Sequence, residues 1–278
     1  MSKFNQYSDK IPQPLPLRHL LADSHCHLDF ADFGGHEDEL FAAMAANSVG
    51  WGLNAGVTLE RFPAVRALIE RFDNLFGAVG VHPDTDGETA REPDVETLLT
   101  LARHPKIVAI GETGLDYYRL TGDLEWQRER FRTHIRAAKI CGKPLIIHTR
   151  SASEDTLRIL KEEGGDSVGG VFHCFTESMD VALRALDLGF YISLSGIVTF
   201  KNALELKAVA KAVPANRLLV ETDSPYLAPM PFRGKLNHPA LVRHVAEEIA
   251  RLREIPLEML AKQTTNNFFT LFRIPHAT

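Results

Sequence analysis

The chain has 278 residues, 45% of them hydrophobic, so it can bury one large core or two ordinary ones. Its net charge of -5 excludes a surface that binds nucleic acid over its whole extent, although a local basic lip around one cleft is compatible with it. Three scattered cysteines, Cys26, Cys141 and Cys174, form no disulfide framework and favour a reducing compartment. The polar, proline-containing residues 1–18 predict an irregular lead-in without signal peptide or membrane span, and hence a cytoplasmic protein.

After this lead-in, short apolar runs alternate with helical patterns up to residue 272. The runs predict strands at 20–22, 50–55, 75–81, 107–110, 145–148, 170–173, 190–194 and 217–221. The patterns between and after them predict helices at 41–47, 59–72, 95–102, 124–141, 154–162, 179–188, 204–213, 239–253 and 256–272. Eight strands separated mostly by helices predict an α/β fold, a single-domain TIM (β/α)8 barrel over 19–278. A doubly wound open sheet is the alternative, and the lack of a glycine-rich loop after the first strand disfavours it.

The segment DSHCHLD, residues 23–29, directly follows the first apolar run. If strand geometry continues through it, His25 and His27 point to one side and Cys26 to the other, because side chains alternate along a strand. Two converging imidazoles are half of a metal site, or they simply pack together or share a hydrogen bond. The pair alone does not decide between these interpretations.

Other metal-capable side chains also fall where predicted strands end, and in a barrel these ends form one face, where such enzymes place their chemistry. Each residue alone has a structural explanation as a rim hydrogen bond, loop carboxylate or cap. Six of them at the ends of five strands favour a shared site. The six are His25, His27, Glu112, His148, His173 and Asp223.

Four imidazoles and two carboxylates exceed what one tetrahedral ion needs, so we predict two divalent ions, Mg, Mn or Zn. Glu112 is the predicted bridge, with His25, His27 and Asp223 completing one ion and the remaining histidines the other. Two such ions lower the pKa of a shared water and stabilise a leaving oxygen, which predicts hydrolysis, most naturally of a phosphodiester. Asp223 is the candidate that accepts the proton.

Three longer segments, DSHCHLD, PLIIHTRSASED and VPANRLLVETDSPYL, resemble the signature regions of the TatD family of metal-dependent deoxyribonucleases. The shorter blocks GVHP, GETGLDYY, FHCFTES and RGKLNHP match further family regions, so that the resemblance covers about 20–272. It implies an amidohydrolase-like TIM barrel, a two-metal centre on the same six residues and nuclease activity, often exonucleolytic, on DNA. The sequence departs from the family at Ala22, which affects packing, and at His238, where Glu is common.

Further residues are candidate substrate contacts, each with a structural alternative. Arg150 would emerge beside the metals and hold a phosphate oxygen, and His82 would donate to substrate or carry a proton. Loop residues Lys201 and Arg233, with Lys235, would form the basic lip. The aromatic residues Tyr117, Tyr118 and Phe200 would stack a base or cover the core. Glu221 would orient a metal ligand from outside, and Cys26 and Cys174 are expected to pack rather than ligate.

The expected partner is DNA, single-stranded or at 3′ ends, with no membrane contact and a monomer as the simplest assembly. A different bond is the alternative substrate: an aminoacyl-tRNA ester, an amide or a lactone. Relatives that cleave such bonds with a carbamylated lysine would need Lys at the fourth strand end, where Glu112 stands. A non-enzymatic scaffold would tolerate a broken set of ligands, and this set is complete.

Overall fold

The computed structural model describes residue 4 and residues 14–85, 90–118 and 120–275, so most of the predicted lead-in lies outside the described residues. Eight parallel strands run in chain order around one sheet, which confirms the predicted TIM barrel. The strands are β1 (Leu21–Cys26), β2 (Val49–Asn54), β3 (Leu75–Val79), β4 (Ile107–Asp116), β5 (Leu145–Arg150), β6 (Gly170–Phe172), β7 (Tyr191–Leu194) and β8 (Leu218–Val220).

Helices connect these strands on the outside of the barrel. They are α1 (Glu37–Ala46), α2 (Phe62–Arg71), α3 (Val95–Leu101), α4 (Glu125–Cys141), α5 (Ser153–Glu162), α6 (Met179–Asp187), α7 (Leu204–Ala212), α8 (Val242–Arg253) and α9 (Leu257–Leu271). Gly142 ends α4 with a φ of 68°, in the left-handed region that glycine adopts readily. Among the described residues, no helix is both long enough and apolar enough to cross a membrane.

Alternate strand residues belong to two apolar clusters. Ile147 and Phe172 are part of the larger cluster, which includes buried side chains of the helices. Ile146 and Val171 belong to a second cluster. It also contains four apolar residues from the end of α9 and just after it, namely Phe268, Phe269, Leu271 and Phe272. At the end of the barrel next to α9, the interior is therefore a packed apolar core. The opposite end, where the strands have their carboxyl ends, is left for polar side chains.

The first strand and the segment around the end of the last strand join through side-chain hydrogen bonds and a few backbone hydrogen bonds rather than a regular ladder. Asp23 accepts hydrogen bonds from both the backbone N–H, at 2.9 Å, and the hydroxyl of Thr222. The backbone N–H of Asp223 donates to the carbonyl of His25 at 3.0 Å. Ser24 adds a hydrogen bond to the carbonyl of Val220 at 3.0 Å. This seam brings the segment after β8 against the two histidines at the end of β1.

Three strands extend further toward the carboxyl end than the apolar runs indicate, β5 by two residues and β1 and β4 by more. β1 reaches Cys26 and β4 reaches Asp116, beyond the predicted ends at 22 and 110. The extensions of β1 and β4 consist mostly of polar residues and glycine that are buried, so hydrophobicity alone does not mark them as strand. As a result, β1 and β4 carry His25 and Glu112 within the strands themselves.

Candidate metal centre

The six predicted ligands meet at the carboxyl end of the barrel. Their ring nitrogens and carboxylate oxygens occur in three overlapping groups, and within each group all ligand atoms lie within 4.8 Å of one another. The groups, drawn from the described part of the chain, are His25–Glu112–His173, His25–His27–Asp223 and His82–Glu112–His148. His82, predicted as a substrate contact, thus lies among the predicted ligands.

On one side of the centre, the Oε2 atom of Glu112 faces the histidines of the first strand. It lies 3.2 Å from Nε2 of His25 and 3.6 Å from Nε2 of His27. The Oδ1 atom of Asp223 lies 3.5 Å from the same nitrogen of His27. The two Nε2 atoms of His25 and His27 are 3.2 Å apart. These four groups converge on one point, as the spacing in DSHCHLD predicts.

On the other side, the Oε1 atom of Glu112 faces three histidines from three other strands. It lies 2.7 Å from Nε2 of His173, 3.2 Å from Nδ1 of His148 and 3.3 Å from Nε2 of His82. The two oxygens of Glu112 therefore serve two separate sets of nitrogen donors. A carboxylate so placed can contribute an oxygen to a cation held by either set of nitrogens.

Outer contacts fix which nitrogen each histidine presents. Nε2 of His148 donates to Oδ2 of Asp116 at 3.2 Å, which leaves its Nδ1 toward Glu112. Nδ1 of His173 donates to Glu221 at 3.3 Å, as expected for a carboxylate that orients a ligand. The ring of His27 donates through Nδ1 to a backbone carbonyl at 3.2 Å. Each of these histidines therefore presents its other nitrogen to the centre.

Gly114 explains why the GETG segment can run beside His148. Its φ is 134°, and a Cβ atom there would lie 2.0 Å from the carbonyl oxygen of His148. Any side chain would push β4 away from β5, so glycine is required for Glu112 and His148 to lie together.

Asp223 is held in a sparsely populated conformation. Its φ of 56° lies in the left-handed region, which is uncommon for residues other than glycine. The carbonyl of His25 accepts from its backbone N–H, and its own carbonyl accepts from the N–H of Tyr226 at 3.1 Å. Such strain persists where surrounding contacts impose it, and it is concentrated at functional sites. The side chain of Asp223 is 15% exposed, compared with 3% for Glu112, so it reaches the cleft above the centre.

The buried charges influence one another strongly. Burial alone would raise the pKa of Glu112, but the adjacent histidines, His173 first, hold that pKa well below its usual value. Burial also opposes the charged form of His82, but Glu112 and a hydrogen bond to Asp84 raise the pKa of His82 to about 9. The pKa of Asp223 is lowered despite burial, mainly by the hydrogen bond from His27. The carboxylates are therefore anionic and suited to neutralise a cation.

The donor set fits divalent metal ions. Neutral imidazoles and carboxylates ligate Zn²⁺ and Mn²⁺, and carboxylates ligate Mg²⁺. Residues on both sides of Glu112 provide such donors at separations of 2.7–3.8 Å. Cys26 takes no part, because its thiol donates to the carbonyl of Leu53 at 3.2 Å. Cys174 contacts the hydroxyl of Ser195 at 3.2 Å, although it also lines the cleft.

A cleft of about 560 Å³ opens above the centre. Arg150 lines it, with its guanidinium 4.0 Å from the ring centroid of Tyr118. Lys201 and Arg233 are exposed but are not among the residues that line the cleft, and the guanidinium of Arg233 lies over Phe200 instead. The geometry therefore brings Arg150 and His82 to the site and leaves the other two predicted contacts outside it.

Sequence reasoning missed three contributors to the site. Asp116 lies beyond the predicted end of its strand, so it was not matched to His148. Phe30 and Tyr226 line the cleft, whereas Tyr117 donates its hydroxyl to Asp155 at 2.7 Å. The sequence position of Tyr226 could have indicated its role, because it stands three residues after the predicted ligand Asp223.

A TIM barrel with histidines and carboxylates gathered at the carboxyl ends of its strands defines a metal-dependent hydrolase. The chain belongs to the TatD-related DNase family, whose sequence profile matches residues 22–273. This confirms the resemblance carried by the signature segments.

Individual relatives agree with this assignment. The chain is 49% identical over 257 residues to a protein of Escherichia coli K12 named "uncharacterized metal-dependent hydrolase YcfH", covering 91% of this chain and 96% of the relative. It is 33% identical to a Klebsiella pneumoniae protein named "3'-5' ssDNA/RNA exonuclease TatD", covering 91% and 97%. The crystal structure of YJJV, a TatD homologue from Escherichia coli, has a TM-score of 0.85 at 32% identity, covering 92% of this chain and 98% of that one.

Proposed function

We propose that this hydrolase is a deoxyribonuclease of the exonuclease type, which cleaves DNA phosphodiester bonds with two divalent metal ions. The observation that carries the proposal is the carboxylate of Glu112, whose two oxygens face two different sets of donors at the floor of an open cleft. Two ions at such positions would polarise a phosphoryl oxygen and neutralise the leaving oxygen. The relative named as a single-strand exonuclease supports the same reading.

The chain's own residues have defined roles in this proposal. Glu112 holds both ions, with His25, His27 and Asp223 on one side and His148 and His173 on the other. Asp223, anionic and exposed to the cleft, accepts the proton of the attacking water at a carboxylate oxygen.

Substrate contacts come from the cleft walls. Arg150 lines the cleft and offers a planar guanidinium to a phosphate of the strand. His82 also lines the cleft, with its Nδ1 held by Asp84 and its Nε2 3.3 Å from Oε1 of Glu112. Lys201 and Arg233 would add at most a distant positive potential. We place the protein in the cytoplasm as a monomer acting on single-stranded DNA or on 3′ ends.

The test is digestion of end-labelled DNA by the purified protein with Mg²⁺, Mn²⁺ or Zn²⁺ added after chelation. Glu112→Ala and His173→Ala are expected to lose activity and to keep the fold, as measured by circular dichroism. Glu205→Ala, which removes an exposed carboxylate on α7, is the matched control and should retain activity. Full activity in both site variants, or no cleavage with any of the three metals, would refute the proposal.

A substrate panel separates this function from hydrolysis of another bond. Single-stranded DNA, RNA, aminoacyl-tRNA and small esters are compared at equal concentration with the same metal. We expect the DNA strand to be cleaved fastest. If the amino acid is released from aminoacyl-tRNA faster than DNA is cleaved, and Glu112→Ala abolishes that release, the substrate of this centre is an ester and not DNA.

A further inference from the structure

One wall of the cleft is aromatic, and the metal centre does not require it. The ring of Phe30 stacks on the predicted ligand His27, with ring centroids 4.9 Å apart and an interplanar angle of 20°. The guanidinium of Arg61 lies 4.5 Å from the centroid of the same ring. Tyr226 meets Phe30 edge to face, with centroids 6.3 Å apart. Both aromatic residues line the cleft, next to Asp223.

The backbone on either side of this aromatic wall, Phe30 and Tyr226, is firmly held. The buried side chain of Asn237 donates to the carbonyls of both Thr222 and Tyr226, which gives the RGKLNHP segment a structural role. Before Phe30, the carboxylate of Asp29 accepts from Arg61 at 2.8 Å and from Asn54 at 3.0 Å. The backbone is therefore held by hydrogen bonds both next to Phe30 and at Tyr226.

Although its backbone is held in this way, the side chain of Tyr226 is 57% exposed. An aromatic ring on firmly held backbone and open to solvent beside a reactive centre is suited to bind a flat ligand, because no backbone entropy is lost on contact. Tyr226 follows Asp223 by three residues, so whatever the ring binds lies next to the reacting group.

We propose that the exposed ring of Tyr226 is a subsite for the terminal nucleobase of the substrate. Phe30 is its packing partner in the wall, because the ring of Phe30 is already covered by His27 and Arg61. The proposal rests on the nuclease function proposed above and deepens it. Aromatic faces stack any base, because every base has a π-face, so the subsite is tolerant of sequence. An internal base of a duplex stacks between two neighbours, and a terminal paired base exposes one face only, whereas an unpaired end offers both faces of its base and can turn toward the ring. The subsite therefore favours frayed or single-stranded ends.

The experiment measures binding without catalysis. A fluorescent single-stranded oligonucleotide is titrated with the protein in excess chelator, alongside matched oligonucleotides that carry an abasic nucleotide at the 3′ or the 5′ end. Tyr226→Ala is expected to weaken binding of the intact oligonucleotide by roughly tenfold or more, the usual effect of removing one stacking ring. Tyr226→Phe keeps the ring face and should bind like the parent protein.

The abasic ends provide the decisive comparison. At the end that enters the subsite, loss of the base should weaken binding to the parent protein, and Tyr226→Ala should cause no further loss. Tyr118→Ala is the matched control: this tyrosine is 65% exposed but does not line the cleft, so the dependence on the terminal base should persist.

Digestion rates of the same oligonucleotides with metal separate the two proposals. If the parent protein cleaves DNA but Tyr226→Ala and the abasic ends change neither binding nor KM, the subsite is refuted and the nuclease function stands. If the parent protein neither binds nor cleaves any oligonucleotide, both are refuted. A tenfold effect of Tyr226→Ala that is equally large on abasic ends also refutes the subsite, because the ring would then act without a base.

Discussion

Replacing Asp116 by alanine tests how the barrel orients one of its ligands. Oδ2 of Asp116 accepts from Nε2 of His148 at 3.2 Å, and this contact leaves Nδ1 facing Glu112. Without the carboxylate, the ring can rotate and exchange tautomers. A hydrogen bond to a charged group contributes about 1.5–3 kcal/mol, and loss of a partner that orients a metal ligand typically lowers metal affinity by about 10–100-fold. We expect a loss of this size for the ion on the His148 side only.

Isothermal titration of the metal-free protein with Mn²⁺ tests this, and two binding steps are expected if two ions bind as proposed. In Asp116→Ala the dissociation constant of one step, that of the His148 side, should rise. The dissociation constant of the other step, that of His25, His27 and Asp223, should stay unchanged. Asp94→Ala is the control, because Asp94 only caps α3 through the N–H of Thr97 at 2.7 Å. It should cost about 1 kcal/mol of stability and leave metal binding alone. Two unaltered binding steps in Asp116→Ala would show that the contact does not orient the ligand.

Three further predictions concern stability. Phe268→Ala, which removes a fully buried ring beside Phe76, should lower the free energy of unfolding in urea by about 3–5 kcal/mol; a loss below 1 kcal/mol would contradict the packed interior. Burial lowers the pKa of His134 to about 4, so the neutral ring contributes to the free energy of unfolding in full above pH 6.5, and roughly 3 kcal/mol is lost as the pH falls toward 4. In His134→Gln the urea midpoint should therefore depend less on pH between 7 and 4.5. An unchanged dependence on pH would refute this. Metal at 100 times its dissociation constant should add about 2.7 kcal/mol and raise the Tm in a thermal melt, an effect that Glu112→Ala should abolish.

The barrel and the proximity of the six candidate ligands were predictable because they depend on patterns that act along the chain. Apolar runs alternating with helical periodicity determine the order of strands and helices, and parallel strands bring residues at their carboxyl ends to one face. Glu112 and His148 are far apart in sequence, but both follow apolar runs. Their proximity could therefore be predicted without knowing any side-chain contact.

Contacts across strands were not predictable in the same way. The pairing of Asp116 with His148 depends on the relative shift of β4 and β5, which apolar runs do not encode. The aromatic residues beyond the strands posed a similar problem. Tyr117 turns away to Asp155 while Tyr226 lines the cleft, because loop backbone, not a repeating period, directs each ring.

The contacts between β1 and the segment after β8 join residues that are synthesised at the beginning and near the end of translation. His25 and His27 leave the ribosome early, but Asp223 is made almost 200 residues later, a separation also spanned by the contact from Asp23 to Thr222. A nascent chain therefore carries these two histidines long before their carboxylate partner from the end of the barrel. Asp223 reaches them only when the segment after the last strand packs beside the first, so barrel closure completes this side of the candidate centre.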